Sequence, residues 1–191
     1  ASQSFFRGCI KKRKYYVDRT QHIRYVLDRE VVVFLRPRRF GKSLWLTTLK
    51  EFFSGRTRLF DGLAVYYEEI QLHGENDIFT WCPTALERHN FPACPVLYFD
   101  FSRLNALLVV DEVRQGIMAM IEDVAASCGV QVTGPDVGAM LTSLIRTLAM
   151  QPSNRWGKVV VLIDEYDALW TMFKDDGTVR QLLKGFYSVL K

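Results

Sequence analysis

The chain lacks paired cysteines, long apolar runs and repeats, the features that assign a sequence to a class at first sight. Its four cysteines, Cys9, Cys82, Cys94 and Cys128, are scattered with no C-x-x-C pair, and His22, His73 and His89 complete no zinc spacing. That spacing argues against a disulfide scaffold and a structural zinc site. Reduced, mostly buried thiols in an intracellular protein are expected, cytoplasmic first and nuclear second. No apolar run approaches the roughly 20 residues of a membrane-spanning helix, so no membrane partner is expected. The basic run Lys11-Lys12-Arg13-Lys14 is followed by no apolar stretch of signal-peptide length. Charge of one sign is also scarce: a net +4 permits an anionic ligand without arguing for nucleic acid. No internal repeat or low-complexity tract breaks the 191 residues.

What remains is a chain that is 49% apolar, enough for the core of one α/β domain. Residues 1–14 are expected to be a loosely held basic leader, and residues 15–191 the domain proper. Tyr15 to Val17 suits a short strand. Asp18 stands at a helix N-cap with Gln21 as its capping-box partner. Val31 to Leu35 has no polar alternation and suits a strand buried on both faces, as in a parallel sheet. Arg36 to Phe40 is then a loop, Gly41 to Phe53 a helix, and Gly55 its C-terminal cap. Leu63 to Tyr67 is a further strand candidate, and His73 to Asn90 a polar insertion. Pro95 to Phe101 is a second apolar strand. One helix follows with Val113, Ile117, Ile121 and Val124 on a face, ending at Gly129. A second opens at Pro135, with Val137, Leu141, Leu144 and Leu148 on a face. Val159 to Ile163 is a third buried strand, and a last helix carries Val179, Leu182, Leu183, Phe186 and Leu190. Strands alternating with helices indicate α/β architecture.

Two motifs carry chemistry. Arg36-Pro-Arg-Arg-Phe-Gly-Lys-Ser43 joins the first strand to its helix, where a phosphate loop (Walker A) reads G-x-x-x-x-G-K-[S/T]. The backbone N–H groups around Gly41 to Leu44 would face an anion at a helix start. Lys42 can reach the β- and γ-phosphates of a nucleotide, and the Ser43 hydroxyl can ligate magnesium. Arg38, Arg39 and Phe40 complete the loop. Arg36 replaces the first glycine, and with Pro37 behind it the chain must leave the strand in another way. The second motif is the apolar run ending at Asp164-Glu165, the pattern of a Walker B strand. There an aspartate holds the metal and a glutamate acts on the attacking water. Asp167 is a further carboxylate in that turn, and Asp100 ends the second strand.

Tyr16-Val-Asp-Arg-Thr20, Phe34-Leu-Arg-Pro-Arg-Arg-Phe-Gly-Lys-Ser-Leu44, Leu97-Tyr-Phe-Asp-Phe-Ser102 and Leu162-Ile-Asp-Glu-Tyr-Asp167 together resemble the AAA-ATPase-like family of AAA-type P-loop ATPases. Arginine at the first-glycine position is usual in that family, whereas the stretch His73–Asn90 departs from its pattern. The resemblance implies a P-loop NTPase three-layer parallel sheet with helices on both faces, truncated here before the sensor strand. It implies ATP and Mg2+ as cofactors and hydrolysis in the full-length protein. Longer members often carry a C-terminal PD-(D/E)xK nuclease-like domain, and a missing C-terminal part of this chain is expected. Position by position, Lys42 and Glu165 become the catalytic pair, with Ser43 and Asp164 on the metal. Asp18 belongs to a matching motif as well as to an N-cap. The strand lost by truncation should leave a gap between 31–35 and 159–163. The alternatives are a nucleotide-binding module without hydrolysis and a nucleic-acid-associated protein, the latter resting on Lys11–Lys14. A protein or nucleic-acid substrate is the expected further partner.

Overall fold

Helix ends organise the chain. The computed structural model describes residues 5–27, 29–35, 37, 39–66, 70–73, 78–81, 93–104, 109–174 and 176–190, which divide into units at residues 1–93 and 94–191. The first unit contains α1 (Phe5–Lys11), a 3-10 turn over Thr20–Ile23 running into α2 (Arg24–Leu27), and α3 (Lys42–Phe53). An antiparallel hairpin of β1 (Ile70–His73) and β2 (Ile78–Trp81) follows, with Ile70 opposite Trp81.

The helix α3 is the centre of this unit. Its inner side buries Leu49, Phe52 and Phe53, and α1 docks on it through the fully buried Phe6. The Phe6 ring lies 4.9 Å from Phe60 and 5.2 Å, edge on, from Tyr16. The Phe6 N–H, which has no partner inside its own helix, donates to the Thr47 hydroxyl at 3.2 Å. Glu51 is only 1% exposed, and its Oε2 accepts from Arg7 at 3.1 Å and Arg56 at 2.7 Å. Two guanidinium groups thus compensate a carboxylate that could not be buried alone. Asp18 ties the connecting segment down: Oδ1 accepts from the Thr20 N–H and hydroxyl, and Oδ2 from the Ala64 N–H at 2.7 Å.

Three helices stop by one backbone device. After α3, Gly55 is left-handed (φ 68), its N–H donates to Phe52 and the Arg56 N–H to Glu51. After α1 the same pair of bonds runs from Arg13 to Ile10 and from Lys14 to Cys9. The left-handed residue there is Arg13 (φ 49), although a side chain costs about 1–2 kcal/mol in that conformation.

The second unit contains β3 (Val96–Asp100), α4 (Val110–Ser127), α5 (Val137–Ala149), β4 (Val160–Asp164), α6 (Ala168–Met172) and α7 (Gly177–Ser188). The helix α4 ends as α3 does, with left-handed Gly129. Asp136 and Asp176 cap α5 and α7 by accepting backbone N–H bonds. The strands β3 and β4 are parallel, with Val96 opposite Val160 and Asp100 opposite Asp164. One face, through Leu97 and Phe99, packs into a core with Ile117, Leu141, Leu144 and Leu183. Phe186 of α7 meets the Phe99 and Phe101 rings edge on, at 5.3 and 5.4 Å. The architecture is α/β, with helices beside a small parallel sheet.

Several expectations are corrected. Tyr15 to Val17 forms no strand, and Ala64–Tyr66 is a 3-10 turn; Tyr67 lies outside the described residues. Asp18 bonds to the start of the Thr20–Ile23 turn, but the N-cap position belongs to Arg19. Residues 5–11 are a docked helix and not a loose leader. The stretch 31–35 is not a buried strand: it takes no regular structure, and Leu35 is 75% exposed. A run without polar alternation becomes a strand only where ladders and cover exist on both sides. Among the described residues β4 has β3 as its partner and 31–35 joins no sheet. Of the 73–90 insertion, residues 78–81 form β2 and the remainder past His73 lies outside the described residues.

Replacing Phe6 by alanine empties the contact between α1 and α3 at a cost of about 3–5 kcal/mol. Native-state hydrogen exchange should show α3 amides losing protection while those of α5 keep theirs. Unchanged α3 protection would mean that α1 contributes nothing to the stability of the first unit.

Candidate functional site

The helix α3 begins within the Gly41-Lys42-Ser43 stretch. Gly41 occupies the N-cap in a left-handed conformation (φ 81, ψ 23), and no side chain caps the helix. The first bond of the helix runs from the Trp45 N–H to the Gly41 carbonyl at 2.9 Å. The N–H groups of Lys42, Ser43 and Leu44 therefore precede any intrahelical acceptor, at the positive end of a 12-residue helix. Upstream, the Phe40 N–H donates to the Pro37 carbonyl at 3.3 Å, closing a turn in which Arg39 is also left-handed (φ 66). Arg39 and Gly41 are left-handed and Phe40 between them is not, the kind of alternation from which anion-receiving nests of N–H groups are built. No heavy atom lies within 4 Å of where a Gly41 Cβ would stand, so open space adjoins the loop. Lys42 and Ser43 are half-buried, Phe40 is exposed, and the Leu44 carbonyl accepts from both Thr47 and Thr48. Arg36 and Arg38 lie outside the described residues.

The acidic end lies in the second unit. Parallel register places Asp100 beside Asp164 at the carboxyl ends of β3 and β4. Alternation then assigns Tyr98, Asp100, Leu162 and Asp164 to the face opposite the main core. Asp164 is 5% exposed, and its Oδ2 accepts from the Tyr98 hydroxyl at 3.1 Å. The Asp100 carboxylate accepts instead from the Ser102 N–H and hydroxyl, so it closes its own turn. Glu165 follows in the left-handed region (φ 51), where a non-glycine residue costs about 1–3 kcal/mol unless its surroundings impose it. They do: the Glu165 N–H donates to Asp164 Oδ1, its carbonyl accepts from Ala168, and the Tyr187 hydroxyl donates to the Tyr166 carbonyl. Asp167 takes the N-cap position of α6 but makes no side-chain cap.

The structure thus brings together two groups separately, Arg39 to Leu44 on one unit and Asp100, Asp164 and Glu165 on the other. Tyr98 and Tyr187 were not among the residues expected from the sequence. Tyr98 lies two positions before Asp100 and so on its face, but only the register with β4 reveals that it reaches Asp164. Tyr187 is remote in sequence from the turn it holds. The donors fit the implied group: a serine hydroxyl and a carboxylate are hard oxygen ligands suited to magnesium, and the unpaired N–H groups suit phosphate.

Both tyrosines resist ionisation. Burial, then the Asp164 charge and hydrogen bond, push the Tyr98 phenol above its ordinary 10.0. Burial, then Asp167, push Tyr187 up to about 12. A raised folded pKa means that the unfolded chain gives up the proton first. The stability these groups supply is therefore complete below pH 10 and is lost as pH rises from there through the folded values. Urea midpoints should fall between about pH 10 and 11 for the native chain. Tyr98→Phe should flatten that fall. It should also cost about 1.5–3 kcal/mol at neutral pH, since Asp164 Oδ2 loses its donor. An alkaline fall unaltered by the substitution would remove Tyr98 from this role.

One comparison with known proteins assigns a family. Residues 2–191 match the model described as "Predicted AAA-ATPase", of the AAA-ATPase-like family. A protein of Azotobacter chroococcum mcd 1, "Uncharacterized protein in vnfD 5'region", is 32% identical over 182 residues. That alignment takes in 93% of this chain and 31% of the relative, so the chain spans less than a third of its relative's length. No solved structure gives a significant match. With the family model covering residues 2–191, the chain belongs to the AAA-ATPase-like family of predicted AAA-ATPases.

Proposed function

We propose that this chain binds ATP with magnesium at the Gly41-Lys42-Ser43 end of α3 and that the protein to which it belongs hydrolyses it. The observation that carries the reading is the uncapped start of α3, with Arg39 and Gly41 both left-handed before it. A P-loop NTPase fold accompanies this reading: β3 and β4 are parallel strands of the kind such a sheet contains.

The residues divide the work as follows. The N–H groups of Gly41 to Leu44, presented by the 38–41 loop, hold the β- and γ-phosphates, and the Lys42 ammonium neutralises them. Each unit offers an oxygen ligand of the kind magnesium takes, the Ser43 hydroxyl on the first and the Asp164 carboxylate on the second. Magnesium, when bound, would neutralise the charge that develops on the phosphate oxygens. The Glu165 carboxylate orients a water and accepts its proton as the water oxygen bonds to the γ-phosphorus and the bond to ADP breaks. Tyr98, through its hydroxyl, orients Asp164, and Tyr187 fixes the turn that carries Glu165.

Lys42→Ala removes a charge-assisted contact of about 1.5–3 kcal/mol, so a fluorescent ATP analogue should bind about tenfold or more weakly. Unchanged affinity would remove the loop from consideration. Glu165→Gln, made in the full-length protein, should keep ATP affinity and lose most hydrolysis, since the amide retains shape but cannot take the proton. Turnover at the native rate would assign the base to another residue, and failure of both proteins to turn over would favour a nucleotide-binding module without hydrolysis.

A further inference from the structure

The N-terminal part of the first unit carries more cationic charge than a nucleotide needs. Residues 1–58 contain fifteen Lys and Arg against four Asp and Glu. Glu51 engages Arg7 and Arg56, and the phosphate loop would use Lys42 and its arginines. The end of α1 is not accounted for by either. Lys11, Lys12, Arg13 and Lys14 are all exposed, and among the described residues none of them meets a carboxylate. A helix dipole favours a cation in the last turn, but it does not ask for four in succession.

Two further features single this segment out. Arg13 occupies the left-handed closing position that is glycine after α3 and α4, so a charged side chain is present where the backbone is better served without one. Next to the run, Tyr15 is 106% exposed, its ring wholly in solvent, whereas neighbouring Tyr16 packs on Phe6. An exposed aromatic face set among cations is what a flexible polyanion with open bases requires, cations for phosphates and the ring for stacking.

We propose that the Lys11–Tyr15 segment is a binding surface for single-stranded nucleic acid, separate from the phosphate loop. A duplex would satisfy the cations but leave Tyr15 without an open base to stack on. A membrane surface is disfavoured because Phe6 of α1 is turned fully into the protein, leaving Phe5 as the one large apolar side chain exposed among the described residues of α1. The proposal does not depend on ATP binding.

The test is anisotropy of a fluorescent oligo-dT about 16 nucleotides long with the whole chain. Binding should be tighter than to a duplex of equal length and should survive excess ATP with magnesium. The slope of log affinity on log salt should lie near −3, about 0.7 for each of four cations. Arg13→Gly should weaken binding several-fold and reduce that slope by about 0.7, while the melting temperature holds or rises. Tyr15→Ala should weaken binding about fivefold or more with the slope unchanged. Absence of binding at low salt would overturn the proposal. So would equal affinity for the duplex with Tyr15→Ala neutral, displacement by ATP, or binding to phosphatidylserine vesicles without binding to the oligonucleotide.

Discussion

A buried carboxylate sets the arrangement of the first unit. Glu51, near the end of α3, is out of water, and an unpaired charge there would cost several kcal/mol. Arg7 from α1 and Arg56 from the turn after α3 meet it from two sides. One ion-pair network therefore fixes the docking of α1, the path of the chain after Gly55 and the position of α3 itself. The head of α3 carries the Gly41-Lys42-Ser43 loop, so the proposed phosphate site stands on a helix anchored at its far end. The tail of α1 carries Lys11 to Lys14, so the same network holds that basic run out in solvent.

The second unit solves a different problem, which is how to keep acidic residues at the edge of an apolar core. Alternation along β3 and β4 sends Leu97 and Phe99 into the aromatic cluster around Phe186, leaving Tyr98, Asp100 and Asp164 on the opposite face. Parallel pairing in register then sets two carboxylates side by side, and their different neighbours separate their roles. Asp100 accepts from the Ser102 N–H and hydroxyl through one oxygen and closes its own turn, whereas Asp164 accepts from the Tyr98 phenol through Oδ2 and from the Glu165 N–H through Oδ1. The turn beyond it holds Glu165 in a conformation that its own backbone disfavours, through bonds from Ala168 and Tyr187.

Local chemistry was legible in the sequence wherever a single segment decides the outcome. The helices α3, α4, α5 and α7 follow from periodic apolar positions, the stops at Gly55 and Gly129 from the need for a left-handed residue, and the G-K-S start of α3 from its spacing. The strands β3 and β4 follow from short apolar runs ending in an acid. Such features depend on contacts within a few residues of one another, which the order of residues specifies directly.

Long-range pairing decided the rest. The 31–35 run reads like β3 and β4, yet it takes no strand conformation, because a strand exists only with a partner to complete its hydrogen bonds. Asp18, readable as an N-cap, also reaches Ala64, and the apparent leader docks as α1 because Phe6 and Arg7 find Phe60 and Glu51 far along the chain. Tyr98 reaches Asp164, and Tyr187 the Glu165 turn, only through strand register and helix packing. The sequence by itself thus determined that α3, α4, α5 and α7 form and where α3 and α4 stop. Tertiary structure alone decided that α1 docks, which donors meet Asp164, which arginines are spent on Glu51 and which cations remain in solvent, because each depends on residues brought together across the chain.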